Sequence, residues 1–300
     1  MHMRRRWAVA AASWLVGMAI VLPGCNFKSR QKAPPEPVVC LVGGTMLPAM
    51  EELAKLYEQS TGRHVQLETA DSGQLLIRIE TQKGGDLYVC HDPFLEVLMS
   101  RKLGSDGWCM AELSPVIVVA KGNPKKIAGV SDLAGQDISL VLPDYEYSTV
   151  GRLLPCIFKK AGVDFDKLKV DNVKKTVRSG SQAANDVGIG RYDAAIVWDA
   201  VARLRADTID LVRIDPRHLP AVGDVVTDET GRQWTVQGPV KVTIATLAGS
   251  QRLEEARAFA EFTCTPAAAE VWRRLGYTPT QPRRLFTSGA SLPAAQESPR

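Results

Sequence analysis

The sequence predicts an α/β protein of two lobes, each a mostly parallel sheet flanked by helices, with a cleft between the lobes. Two patterns and the composition carry this. Short apolar runs of strand length alternate with stretches whose apolar residues recur at three- and four-residue spacing. The alternation starts afresh near Ser114, after a complete βαβαβ run, so two sheets are expected rather than one. At 300 residues, 45% hydrophobic and 23% charged, the chain has the apolar mass for both cores.

The elements follow in order. Val38–Val42 is an apolar strand closed by Gly43-Gly44, and Thr45 is placed to cap the next helix. Met46, Met50, Leu53, Leu56 and Tyr57 give that helix one apolar face, and Thr61-Gly62 ends it. His64–Ala70 alternates as a strand, with Val65, Leu67 and Thr69 on one face. Ser72-Gly73 opens a helix carrying Leu75, Leu76 and Ile79. Asp86–Cys90 is a third strand, and a helix runs from about Pro93 to Lys102. Beyond Ser114, strands are expected at Pro115–Ala120, Ile138–Leu142, Val173–Val177 and Ala194–Trp198. A short capped helix falls at Ser131–Ala134, and longer ones start near Ser148-Thr149 and Gly180. Residues 209–236 read as β-rich with turns, and Val240–Ala245 as a strand. Helices over Gln251–Phe262 and Pro266–Leu275 follow. Lobe one is thus expected to comprise 38–114 and 239–280, and lobe two 115–238. Two crossings near Pro115 and Pro239 would form the hinge, and 281–300 a disordered tail.

The N-terminus reads as an export signal. Arg4-Arg5-Arg6 precede an uncharged stretch from Trp7 to Leu22, too short to span a bilayer comfortably, so residues 1–24 are assigned to a signal peptide. Leu22-Pro23-Gly24-Cys25 resembles a bacterial lipobox, in which the cysteine is acylated. Cleavage without a lipid, or retention as a membrane anchor, are the alternatives. Residues 25–37 then form a lipidated cysteine and a polar, Pro-rich tether. The expected location is periplasmic or cell-surface, anchored to the membrane by the N-terminal lipid.

Charge and cysteines exclude other classes. Losing residues 1–24 removes three arginines and no acid, leaving 34 basic against 33 acidic residues. With no basic cluster interleaved with aromatics, no nucleic acid partner is expected. Cys40, Cys90, Cys109, Cys156 and Cys264 include no CxxC pair, which argues against zinc. Export permits disulfides, yet five is an odd number, so at least one thiol is free or pairs with another chain. Small buried hydrophobes are the other reading.

Small hydroxyls stand where strands hand over to helices: Thr45, Ser72, Ser148-Thr149 and Ser179–Ser181. A helix start carries N–H groups without intrahelical partners and the positive end of the dipole. Several starts meeting at one point bind an anion without lysine or arginine. Each hydroxyl also has a plainer reading as an ordinary N-cap.

The segments LVGGTMLPAMEELAKLYEQSTG, DSGQLLIRIETQKGGDLYVCHD, PVIVVAKGNPKKIAGVSDLAG, DAAIVWDA and FTCTPAAAEVWRRLGY extend a resemblance over about Val38 to Tyr277. There the chain resembles the periplasmic molybdate-binding proteins of ABC transporters. The resemblance implies a periplasmic-binding-protein-like fold, molybdate or tungstate as ligand, an ABC permease subunit as partner, and no cofactor. A monomer is expected, and no catalysis. Thr45 takes the place of the family's first serine and Ser72 that of the second hydroxyl. A backbone N–H contact maps near Ser148, another near Gly180, and Trp198 stands where the family has a tyrosine. Asp71 and Glu146 depart from the family's neutral surroundings. Both can be solvated rim residues. If they enter the pocket, their carboxylates suit a ligand still carrying a proton, such as phosphate or a phosphonate. A protein that kept the fold as a sensor or scaffold is the alternative from another class.

Other residues invite other chemistry. Cys90-His91-Asp92 with Asp86 and Tyr88 suggests a metal, but alternation sends His91 to the opposite face from Asp86, Tyr88 and Cys90. Tyr145 and Tyr147 invite comparison with ferric-ion binders. No Gly-x-Ser-x-Gly elbow occurs, and His64, His91 and His218 lie in no catalytic motif.

Overall fold

A computed structural model describes residues 36–145, 148–227 and 233–287. The expected signal peptide, the lipobox with Cys25, most of the tether, Glu146, Tyr147 and residues 288–300 lie outside the described residues. No helix among the described residues is long and apolar enough to cross a membrane.

The first sheet has six strands. β1 (Val38–Gly43) lies between β2 (Val65–Ala70) and β3 (Leu87–His91), parallel to both. β12 (Val240–Leu247) runs antiparallel to β3 and also to β4 (Gly104–Leu113), which pairs with β13 (Thr278–Phe286) at the edge. The order is β13-β4-β12-β3-β1-β2. The second sheet has the order β7-β6-β8-β5-β9, formed by β5 (Pro115–Ala120), β6 (Leu140–Pro143), β7 (Val173–Val177), β8 (Ala194–Trp198) and β9 (Ile209–Arg213). β6 is parallel to β7 and β8, whereas β5 is antiparallel to β8 and β9. β10 (Val225–Thr227) and β11 (Gln233–Thr235) form a separate hairpin. In each sheet, parallel strands joined through helices sit beside antiparallel ones that arrive from the interlobe crossings or the C-terminus.

Helices cover both faces. α1 (Leu47–Thr61) buries Ala49, Met50, Leu53, Ala54 and Tyr57, a single face at helical spacing. α2 (Ser72–Gln82) and α3 (Phe94–Ser100) cover the opposite face through Leu75, Leu76, Ile79, Leu95 and Leu98. α8 (Leu253–Phe262) and α9 (Pro266–Arg274) join α1, where Tyr57 meets Phe259 and Phe262 edge-on at 5.1 and 5.2 Å. The second sheet is flanked by α4 (Thr149–Lys160), α5 (Phe165–Asp171), α6 (Gly180–Gly188) and α7 (Asp199–Arg203). The chain leaves the first sheet at Ser114 and returns through 237–239.

Two expectations are corrected here. Thr45 is not an N-cap: Gly44–Met46 form a single 3-10 turn, α1 starts after Met46, and neither start has a side-chain cap bond. The segment from Gln281 is not wholly a tail, because β13 continues to Phe286. Arg284 in that strand pairs with buried Asp106 at 2.5 Å. β4, which the sequence did not reveal, supplies the surface on which β13 is built.

Candidate functional site

The ends of β1, β2 and β3 open on the same side, and the chain turns directly from the first two of them into helix starts. Gly43 ends β1, and a Cβ there would stand 2.5 Å from Ser72 Oγ and 2.7 Å from Met46 Cε. Only glycine lets the Ser72 hydroxyl lie against this strand end. Two buried tyrosines fix the neighbouring backbone: Tyr88 Oη donates to the Ser72 carbonyl and Tyr277 Oη to the Thr45 carbonyl, each at 2.7 Å. Burial pushes both phenols well above their usual range, so they stay neutral donors.

The second sheet contributes two more starts. Ser148 caps α4 by accepting from Gly151 N at 3.5 Å, and Ser179 caps α6 by accepting from Gln182 N at 3.2 Å. The capping role is compatible with a ligand contact, since a capping oxygen keeps its own hydrogen to donate. One expected contact moves. The Ser148 N–H donates to the Asp144 carbonyl at 3.1 Å, so it is not available to a ligand. The first-turn N–H groups of α4 without an acceptor in the helix begin at Thr149. At α6 the corresponding groups begin at Gly180, and at α2 at Ser72, because Leu75 N already reaches the Asp71 carbonyl.

These starts line one cavity of about 460 Å³, which contains all five residues selected from the sequence: Thr45, Ser72, Ser148, Gly180 and Trp198. Trp198 ends β8 opposite Pro115 in the register, so the indole stands both in the cavity wall and beside a crossing. Asp71 lines the cavity from its exposed rim, and Arg178 lines it from the turn before α6.

His91 is the lining residue that sequence reasoning set aside. It is the last residue of β3, half-buried, with ring centroids 5.8 Å from Phe94 and 6.0 Å from Trp198. Its Nδ1 lies 3.0 Å from the Asp92 carbonyl and 3.4 Å from Thr149 Oγ1, a contact between the two sheets' elements. Desolvation holds the imidazole below the ordinary histidine range. The alternation that separated His91 from Asp86 was the available signal, since it placed the ring on the other face. Asp86 itself accepts from Val39 N and Ser250 Oγ at 2.9 and 2.7 Å, which is structural work.

Other candidates lie elsewhere. Tyr145 packs edge-on against Phe165 at 5.6 Å and is not in the cavity wall. All five described cysteines are free thiols, and burial pushes those of Cys40 and Cys90 far up, which leaves them unreactive. A second cavity of about 560 Å³ opens beside the crossings, but Leu113, Leu153, Leu219, Val236 and Val240 make it largely apolar. It gathers none of the hydroxyl-bearing starts.

Solved structures with the same fold bind different solutes. The sulfate-binding protein SubI of Mycobacterium tuberculosis is 23% identical, with a TM-score of 0.63 over 81% of this chain and 87% of its own. The periplasmic molybdate-binding protein of Azotobacter vinelandii is 14% identical, with a TM-score of 0.60 over 81% and 100%. Iron-bound HitA of Pseudomonas aeruginosa is 16% identical, with a TM-score of 0.57 over 88% and 90%. Identities this low carry the fold and not the ligand. The family model for bacterial extracellular solute-binding proteins matches residues 38–278, and the chain belongs to that family.

Proposed function

We propose that this protein captures a small tetrahedral oxyanion between its two lobes and delivers it to an ABC permease. The observation that supports this most is the meeting in one cavity of three hydroxyl-bearing α-helix starts, at Ser72, Ser148 and Ser179, with the 3-10 turn that carries Thr45. Neutral N–H and O–H donors suit an anion because they stabilise its charge without needing desolvated counter-ions. Molybdate and tungstate are the anions implied by the family resemblance. Residues 38–114 with 239–280 and residues 115–238 act as the lobes, closing about the crossings. Cys25 carries the lipid that holds the protein at the membrane.

A second reading has its own support. Asp71 lines the same cavity, and a carboxylate there favours an anion that brings a proton, such as phosphate or a phosphonate. Thermal unfolding with molybdate, tungstate, sulfate, phosphate and ferric ion separates the readings. At about a hundredfold excess over Kd, the true ligand stabilises by roughly 2.7 kcal/mol, a rise of roughly 5–10 °C in Tm. No rise with any of them rejects the anion reading and favours a sensor or scaffold. Ser72→Ala should weaken the anion about 10- to 100-fold in calorimetry, the loss of one hydrogen bond to a charged group. Unchanged affinity removes Ser72 from the site.

A further inference from the structure

We propose that His91 is an anion-binding residue of the cleft and that it takes up a proton from solvent as the anion binds. The inference rests on the oxyanion reading above, and it does not depend on which oxyanion is bound.

The geometry fixes the ring's state. A backbone carbonyl can only accept, so the 3.0 Å contact with the Asp92 carbonyl places a hydrogen on Nδ1. A neutral ring then carries a bare lone pair on Nε2, which makes no hydrogen bond to any described residue. The ring lines the cavity that gathers the helix-start donors, close to Phe94, Trp198 and Thr149. Such a lone pair repels a fully ionised oxyanion, whereas a protonated Nε2 attracts it. In the empty cleft, burial favours the neutral ring. A dianion placed beside it reverses the balance, since an opposite charge at contact distance favours the charged form.

The other charges around the ring do not remove this effect. Asp71 and Arg178 line the same cavity with opposite signs. The Asp92 carboxylate, held by Lys241 of β12 at 3.2 Å, acts on the ring in the opposite sense to burial, and burial outweighs it. Glu96 on α3 has its pKa raised, first by desolvation and then by Asp92. The incoming anion is therefore the main change in field that His91 meets.

The proton balance gives a discriminating consequence. Molybdate, tungstate and sulfate carry no proton near neutral pH, so the proton comes from the buffer and ends on Nε2. Hydrogen phosphate brings its own, and its O–H can donate to the neutral ring without uptake. Affinity for the fully ionised anions should rise as pH falls from the bound-state pKa of His91 to its lower free-state pKa, and level off below.

Calorimetry of molybdate, sulfate and phosphate binding at about pH 7.5, in buffers of different ionisation enthalpy, counts the protons. The expected result is uptake approaching one proton for whichever fully ionised anion binds, and little or none for phosphate. His91→Gln should abolish the uptake and flatten the pH dependence. Histidine C–H resonances of the wild type, followed by pH titration with and without anion, give the same answer without a variant. Anion binding with no proton uptake, or equal uptake in His91→Gln, overturns this proposal alone. Absence of binding heat with every anion overturns it together with the anion reading.

Discussion

Gly43 and Ser72 make contact where neither could move far. A methyl group at Gly43 meets the Ser72 hydroxyl at 2.5 Å and Met46 at 2.7 Å, so one of them must shift. Met46 is fully buried, which makes the serine hydroxyl the easier group to displace. Gly43→Ala should therefore cost about 1–3 kcal/mol in urea unfolding and also weaken the anion. Full retention of both rejects the close approach as a site feature. Asp199 presents a different residue-scale effect. It follows Trp198, donates its N–H to the Ser114 carbonyl, and burial raises its carboxyl to about 6 from 3.8. The folded state thus binds more protons between these values. The contribution to stability is full below about pH 3.8 and is lost as pH rises through about 6, costing roughly 2–3 kcal/mol at neutral pH. Asp199→Asn should remove that loss. Its stability relative to wild type should climb across this window, and a constant difference at all pH values refutes the assignment.

At the scale of elements, Asp106 ties three pieces of the first lobe together. It is fully buried in β4 and takes Arg257 of α8 at 2.9 Å and Arg284 of β13 at 2.5 Å, while its own N–H donates to Thr246 of β12 at 3.0 Å. Arg284 also lies over the Trp108 ring at 5.2 Å. Asp106→Ala removes the carboxylate shared by two partly exposed guanidinium groups, of which Arg257 keeps Glu254, and should cost about 1.5–3 kcal/mol by chemical denaturation. A loss under about 1 kcal/mol would show that the C-terminal strand is held by other means. The same elements explain why β4 and β13 are hard to read from sequence. Gly104 and Gly107 break the β signal, and Pro279 and Pro282 sit in a segment that resembles a tail. Strand pairing supplies what local propensity lacks, and the register shifts in β13 accommodate the prolines' missing donors.

Across the whole molecule, the first sheet hands over to the second through one residue, Ser114, and is re-entered from the separate β10–β11 hairpin through the short segment ahead of Val240. Crossings this short suit a hinge, because few dihedrals can absorb a relative rotation of the lobes. The cleft cavity of about 460 Å³ exceeds one small anion, so the capture mechanism requires closure. Small-angle scattering should show a smaller radius of gyration at saturating anion. Identical curves with demonstrated binding reject hinge closure while leaving the anion reading intact.

The helix starts were legible in the sequence because capping and anion binding use the same residue types, and the strand and helix periods located them. That is a local property. Which of those groups remain available to a ligand was decided by backbone geometry that residue type does not report. Ser148 spends its N–H on Asp144, and Thr45 turns out to lie in a 3-10 turn rather than at a cap. His91 enters the same cavity through the pairing of β3 with β12 and the approach of Thr149 and Trp198 from the other sheet. The sequence by itself determined the two-sheet plan and the hydroxyl-bearing strand ends, since these follow from hydrophobic period and residue type. The tertiary structure alone decided which donors meet and which charges join them, because convergence depends on strand order and on the crossings, and neither leaves a trace in local pattern.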